Sequence, residues 1–167
     1  KLNRDLEYLP TDEQLTDRAQ HDQGLTRPEL AVLLSYAKLH IKNQVLASNL
    51  DDYENLKSAV LSEFPMSLRE QFSKQMEQHP LRREIIATQI ANDIVHHMGI
   101  SFVTHLKEYV GSSSMDIVQA YSVMIQAFRI HEFWRKLEKS NGLNEDDKLV
   151  LQLDLMKLGR RATRWVL

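Results

Sequence analysis

The amino-acid sequence predicts an all-α fold, an irregular multi-helix bundle of about nine or ten helices in a single domain. Three observations support this prediction. The 167 residues include only five Gly and four Pro, which lie almost entirely between segments of helical periodicity. Within these segments apolar side chains recur at spacings of three and four residues. Several segments also begin with a hydroxyl side chain three residues before Glu or Gln, the spacing of a capping box.

These signals define the expected elements in chain order. Capping boxes that begin at Thr11, Thr26 and Ser67 mark three helix starts. Helix ends are expected before Pro65 and Pro80 and at glycines that can close a helix in the left-handed conformation, namely Gly24, Gly99, Gly111 and Gly142. The predicted helices span about 2–8, 12–22, 27–48, 52–63, 67–78, 81–98, 101–110, 114–129, 131–140 and 145–166.

Composition excludes several functional classes. The chain has no Cys, which excludes disulfides, thiolate metal sites and cysteine nucleophiles. Its longest apolar run, 30–34, is far shorter than the roughly 20 residues that cross a bilayer. Twenty-one Lys and Arg against 23 Asp and Glu give a net charge of -2, without the basic excess of a nucleic-acid-binding domain. We therefore expect a cytoplasmic chain with neither nucleic-acid nor membrane partners.

The helix that follows Thr26 carries apolar residues on two sides. One stripe at helical spacing contains Leu30, Leu33, Leu34, Ala37, Ile41 and Val45. A second stripe, formed by Val32, Leu39 and Leu46, recurs every seven residues on the opposite side. Two interpretations are open: the helix is central and packed on both sides, or the second stripe docks on another part of a longer protein.

The helix predicted at 81–98 places four polar residues within a broad apolar face, namely Arg83, Glu84, Thr88 and Asn92. Polar groups inside a protein need hydrogen-bond partners. We expect the four to form a structural polar cluster that fixes helix packing. Of these, Arg83, Glu84 and Asn92 should be at least partly buried and hydrogen-bonded to backbone at neighbouring helix ends or to one another. The alternative is a catalytic or ligand-binding cluster.

Other signals for chemistry are weak. No glycine spacing fits a dinucleotide or phosphate loop. His96 and His97 are adjacent on a helix and diverge by about 100°, although Asp93 and His97 are four residues apart and can meet. His131 lacks the second histidine of a zinc-protease helix. The sequence therefore predicts no catalytic, cofactor-binding or metal-ligating residues in this segment.

Near its end the chain is basic, with Lys157, Arg160, Arg161 and Arg164 on neighbouring sides of one helix. Such cations can hold a phosphate or an acidic surface, and they also interact favourably with the helix dipole. Together, Val32, Leu39, Leu46, Arg160 and Arg164 are the candidate interface residues.

Six segments of the sequence are more specific than a generic helix pattern, namely 2–10, 24–38, 79–88, 91–92, 99–103 and 161–165. In their order and spacing they resemble the C-terminal region of the large bacterial NAD-specific glutamate dehydrogenases. The resemblance covers nearly the whole chain and departs at His96-His97, where that family usually has Asn-Arg.

The resemblance implies that residues 1–167 are a fragment from the C-terminal part of a much longer enzyme. The first residue, Lys1, and the helical pattern that runs into Leu167 agree with that expectation. The implied parent activity is oxidative deamination of L-glutamate to 2-oxoglutarate and ammonium, with reduction of NAD. The NAD-binding and catalytic residues would lie upstream, so the segment itself would hold no cofactor and be inactive.

The implied partners are the catalytic domain of the same chain and further copies in a homo-oligomer. The segment would support that catalytic domain or subunit assembly. The alternative function is a free-standing helical protein-interaction module that uses the second stripe to bind a partner helix.

Overall fold

The computed structural model describes residues 2–48 and 64–167, and within these ranges it contains eight helices. Every regular element there is α-helical, which confirms the all-α prediction, although the count falls slightly below nine or ten. The predicted helix at 52–63 lies outside the described residues. The helices are α1 (Asp12–Gln20), α2 (Arg27–Leu46), α3 (Met66–Glu77), α4 (Arg82–Met98), α5 (Phe102–Val110), α6 (Ser114–Ala127), α7 (Ile130–Glu138) and α8 (Glu145–Val166).

Two of the three capping boxes are confirmed. The Thr11 amide donates to Gln14 Oε1 at 2.9 Å, and the Thr26 amide donates to Glu29 Oε2 at 2.7 Å. The third box is wrong, because α3 begins at Met66 and encloses Ser67 in its first turn. The carbonyl of the preceding Pro65 accepts the first helical hydrogen bonds, so the helix starts earlier than its hydroxyl signal.

The predicted helix at 2–8 is wrong, because this segment forms turns. Asn3 Oδ1 accepts the amides of Asp5 at 3.1 Å and Leu6 at 3.2 Å, and so competes with a helical ladder. Tyr8 then takes a left-handed conformation with φ 52°. A segment this short cannot offset the cost of helix nucleation.

One of the four expected left-handed glycine closures is confirmed, because Gly111 after α5 has φ 75° and ψ 9°. Gly99 ends α4 with a positive φ of 84°, but its ψ of 165° lies outside the left-handed helical region. Gly24 and Gly142 lack a positive φ, so the expectation is wrong at those sites. The chain reverses after α1 at Asp22 instead, with φ 55°.

The core lies around α4 and α6. Helix α4 packs along α2, whereas α6 packs against α5, α7 and α8. Side chains of α4 and α6 in this core are fully or almost fully buried, including Ile86, Ile94, Met98, Ile117 and Met124. Burial of one such side chain stabilises the fold by roughly 1.5–3 kcal/mol, so apolar packing accounts for the arrangement of these helices.

Helix α8 approaches the core most closely at Gly159, where a Cβ atom would lie 2.6 Å from Met98 Cε. Thr163, one turn later, is fully buried. Small residues at these two positions therefore allow α8 to pack against the end of α4.

None of the helices in the described ranges has both the length and the apolar character needed to cross a membrane.

Candidate functional site

Asp93 is the centre of the most elaborate polar cluster in the described structure. Its side chain lies on α4 and is within 2.8 Å of His97 Nδ1, one turn along the same helix. The Tyr121 hydroxyl, from α6, donates to Asp93 Oδ2 at 2.6 Å. His131 Nε2, from α7, lies 3.0 Å from the same oxygen. Three helices therefore meet at one carboxylate.

Local geometry explains how α7 reaches the site. Arg129, between α6 and α7, has a left-handed conformation with φ 51°, which turns the chain sharply. Ile130 then anchors the start of α7 in the core and is 1% exposed. Because His131 follows directly, its ring is held over Asp93.

The contacts within the cluster shift the pKa values of Asp93, His131 and Tyr121. Burial acts to raise the pKa of Asp93, but hydrogen bonds from His131, His97 and Tyr121 outweigh it and hold that pKa well below its usual range. The hydrogen bond to Asp93 raises the pKa of His131. Burial, together with the Asp93 charge, raises the pKa of Tyr121. Asp93 is therefore an anion at neutral pH, whereas Tyr121 remains a neutral donor.

An aromatic ring shields one side of the cluster. Trp134, on α7, packs against His97 with ring centroids 4.8 Å apart. Trp134 is 9% exposed, whereas half of the His131 side chain is accessible. The site is therefore open on the His131 side and enclosed on the Trp134 side.

Three of these residues could hold a metal ion. Donor atoms of Asp93, His97 and His131 all lie within 4.8 Å of one another. The sequence predicts no metal-ligating residues, because Asp93 and His97 are related by helical spacing and no local spacing brings His131 of α7 to them. The sequence did not indicate Tyr121 either, because Tyr121, like His131, has no local spacing that relates it to Asp93.

An open groove of about 510 Å³ extends from Asp93 and His97 along α4. Three residues of the predicted polar cluster, Glu84, Thr88 and Asn92, line this groove. Its chemistry is mixed, since apolar side chains of the first turns of α4 also contribute.

The expected burial of the polar cluster is wrong, because Arg83, Glu84, Thr88 and Asn92 are all exposed. The predicted apolar face was too broad. It included Leu81 and Ile85, but Leu81 is 56% exposed and Ile85 is only half-buried. The buried arc of α4 is narrower, and Thr88 and Asn92 lie beyond its edge.

Arg83 nevertheless makes contacts of the kind expected. Its Nη2 donates to the backbone carbonyls of Leu46 at 3.0 Å and Ser48 at 2.9 Å. These carbonyls belong to the C-terminal end of α2, where helical partners are lacking. Arg83 therefore caps α2 and joins it to α4.

The apolar candidate interface is only partly accessible. Leu39 is 50% exposed, whereas Val32 and Leu46 are less exposed than Leu39. Leu46 also packs against the core. Of this stripe, Leu39 presents the largest free apolar surface.

The basic candidate interface makes contacts within the domain. Arg160 Nε donates to the Met98 carbonyl at 3.0 Å and so caps α4. The Arg164 guanidinium lies 4.1 Å from the centre of the Tyr109 ring and donates to its hydroxyl at 2.9 Å. Arg160 therefore joins α8 to α4, and Arg164 joins α8 to α5.

A second apolar surface escaped sequence reasoning. Leu149, Val150 and Leu153, on the first half of α8, are 54%, 56% and 41% exposed. Leu153 lies four residues after Leu149 and three after Val150, and both spacings make neighbours on a helix, so Leu153 joins the three side chains into one patch. We call it the α8 patch. Its signal was the presence of leucines on more than one side of α8.

The comparisons with known proteins agree on one family. Residues 22–167 match the family described as "Glutamate dehydrogenase, C-terminal". Proteins named NAD-specific glutamate dehydrogenase are 45% identical in Pseudomonas aeruginosa, 41% in Halomonas elongata and 37% in Mycobacterium tuberculosis. These alignments cover 99–100% of the chain, which spans about 10% of the length of each relative. The chain therefore belongs to the family of glutamate dehydrogenase C-terminal regions.

Proposed function

We propose that the chain is the non-catalytic C-terminal helical domain of an NAD-dependent glutamate dehydrogenase. The parent enzyme would convert L-glutamate to 2-oxoglutarate and ammonium while reducing NAD, in the cytoplasm and as a homo-oligomer. The observation that carries the proposal is the alignment of the whole chain with about a tenth of each relative of that name. NAD and the reacting groups would then be held by the rest of the parent chain.

The work of the domain would be to support the catalytic part through a packed interface. When the domains of an oxidoreductase close, the moving domains need a rigid element to pack against. A helical body with a buried core between α4 and α6 meets that requirement.

Two apolar surfaces support such an interface. The α8 patch and Leu39 expose large aliphatic side chains on two different helices. A contiguous apolar patch such as the α8 patch indicates a contact with another surface, whereas Leu39, a single exposed leucine, adds to such an interface only beside that patch. We infer that the α8 patch packs against the rest of the parent chain, with Leu39 as a second contact.

Arg164 would lie at the edge of that interface. Its guanidinium is held on Tyr109 and remains exposed, so it can still meet an acidic group. Arg160 would instead act inside the domain, since its guanidinium already binds the α4 carbonyl end.

The test compares the 167-residue chain with the full-length protein that contains it. Glutamate-dependent NAD reduction is expected from the full-length protein and not from the chain alone. Calorimetric titration of the chain with NAD is expected to show no saturable binding. Micromolar NAD binding by the chain, or a full-length protein without glutamate oxidation, would contradict the proposal. Binding of a partner helix by the chain alone, in the absence of any longer enzyme that contains it, would favour the interaction-module alternative.

A further inference from the structure

We propose that Asp93, His97 and His131 form a binding site for a divalent transition-metal ion, with Zn²⁺ as the best match. The inference is independent of the proposed enzymatic function. It rests on donor type, on the separation of the donors and on the way the surrounding residues hold them.

The donor set suits zinc. Two imidazole nitrogens and one carboxylate oxygen are ligands that Zn²⁺ accepts, and three protein ligands leave a fourth position for water or another group. Hard cations such as Mg²⁺ and Ca²⁺ prefer all-oxygen sites, so the two histidines argue against them.

The distances suit zinc as well. Zn²⁺ binds nitrogen and oxygen at roughly 2.0–2.2 Å, which places tetrahedral donors roughly 3.3 Å from one another. The three donors lie within 4.8 Å of one another, and His97 Nδ1 is 2.8 Å from Asp93 Oδ1. Closing the longest donor separation by about 1.5 Å would bring all three atoms to an ion between them.

Residues around the donors restrain them. Tyr121 is 2% exposed and donates to Asp93 at 2.6 Å, which orients the carboxylate. Trp134 packs on the His97 ring. Metal-binding side chains commonly depend on such outer contacts for orientation. Tyr121 is therefore a positioning residue for the site.

The site is accessible to an ion from solvent. His131 is half exposed, so an ion can enter from solvent without unfolding the domain. An ion bound at His97 Nδ1 replaces the contact of that nitrogen with Asp93, and a neutral His97 ring then carries its one proton on Nε2, while any second proton on a histidine ring passes to the buffer. The ion would then link α4 to α7 in place of hydrogen bonds.

The chain also contains a matched control. Asp17 and His21 on α1 form another exposed pair four residues apart, with His21 Nδ1 3.6 Å from Asp17 Oδ1. No third donor accompanies that pair within the described residues. It therefore tests whether an Asp–His pair on one helix turn is enough.

The experiment is calorimetric titration of the tag-free 167-residue chain with Zn²⁺ alone, in a non-chelating buffer at neutral pH. Circular dichroism checks the fold of each variant. One saturable site per chain is expected. His131→Ala and Asp93→Asn should weaken binding more than about 100-fold, beyond the loss caused by an outer contact. Tyr121→Phe should weaken it about tenfold, and His21→Ala should leave it unchanged.

A second measurement covers the case in which a variant, or the chain alone, lacks a helical spectrum. The zinc content of the full-length protein and of its His131→Ala variant is measured by mass spectrometry after equilibrium dialysis. A difference of one ion per chain is expected, and this result then decides. The proposal is overturned if the chain shows no saturable Zn²⁺ binding and the full-length protein holds no more zinc than its His131→Ala variant. It is also overturned if binding survives His131→Ala, or if His131→Ala and His21→Ala have equal effects on binding.

Discussion

The Tyr121 hydroxyl on α6 donates a 2.6 Å hydrogen bond to the Asp93 carboxylate on α4. Tyr121 is 2% exposed, and Asp93 also meets His97 and His131. Tyr121 therefore belongs both to the apolar core and to the polar cluster, in which its hydroxyl is a donor. Because the bond joins two core helices, its strength bears on both the stability and the chemistry of the domain.

Replacement of Tyr121 with Phe should lower the free energy of unfolding by about 1–3 kcal/mol, since it removes a donor from a charged carboxylate. Urea denaturation measures the change. Tyr8→Phe is the control, because Tyr8 is 90% exposed, and it should have no measurable effect. Equal stability of the two variants would show that the Asp93 contact contributes nothing to folding.

The stability contribution of the His131–Asp93 pair should depend on pH. The pKa of His131 is raised in the folded chain, so its contribution is complete below its unfolded pKa of about 6.5 and disappears as pH rises through the folded pKa. The pKa of Asp93 is lowered, so its contribution is complete above about pH 4 and disappears on acidification. The window in which both contribute therefore lies between these values.

His131→Gln tests this expectation by urea denaturation at several pH values. The loss of stability relative to wild type should be larger near pH 5 than near pH 8. The groups around His131 are Asp93, His97, Tyr121 and Arg135, and Arg135 acts to lower the pKa of His131. The variant keeps all four, so that only the charge at position 131 changes. A loss independent of pH would contradict the assignment of charge to this pair.

Arg160→Ala should destabilise the fold by about 1–3 kcal/mol, because the half-buried arginine donates to the Met98 carbonyl at the end of α4. Arg161→Ala is the matched control, since Arg161 is exposed and adjacent on the same helix. Thermal and urea unfolding measure both variants. If Arg160→Ala changes assembly of the parent enzyme and leaves stability unchanged, the capping role is wrong.

Gly159→Val should cost about 1–3 kcal/mol, because its Cβ would overlap buried Met98 and force the core to shift. Gly142→Val is the control: nothing lies within 4 Å of a Cβ atom there. Differential scanning calorimetry should show a lowered Tm for the first variant and little change for the second. Similar Tm values would show that α8 does not depend on this close approach.

Local signals in the sequence predicted most of the fold, because helix starts and ends are set within a few residues. Thr11 and Thr26 precede α1 and α2 as their spacing indicates, and Gly99 and Gly111 follow the ends of α4 and α5. Residues 2–8 failed because the Asn3 side chain competes with the helix for backbone amides, and residue spacing alone does not measure that competition.

The candidate site was less predictable, because it depends on contacts distant in sequence. Asp93 and His97 could be paired from their spacing of four residues. Tyr121 and His131 lie 28 and 38 residues from Asp93, and they reach it only through the packing of α6 and α7 on α4. The exposure of Thr88 and Asn92 depends likewise on the width of the buried arc, which neighbouring helices determine.

The central claim is that the domain supports the rest of a glutamate dehydrogenase through exposed apolar surface. Its most direct test is the rate of glutamate-dependent NAD reduction by the full-length protein carrying Leu153→Glu, with assembly followed by size-exclusion chromatography. Leu39→Glu tests the second contact, and Thr104→Glu places the same charge at another exposed helical position. We expect Leu153→Glu to reduce activity or assembly while the 167-residue chain stays folded, and Thr104→Glu to have no effect. Full activity and normal assembly in both Leu153→Glu and Leu39→Glu would contradict the claim.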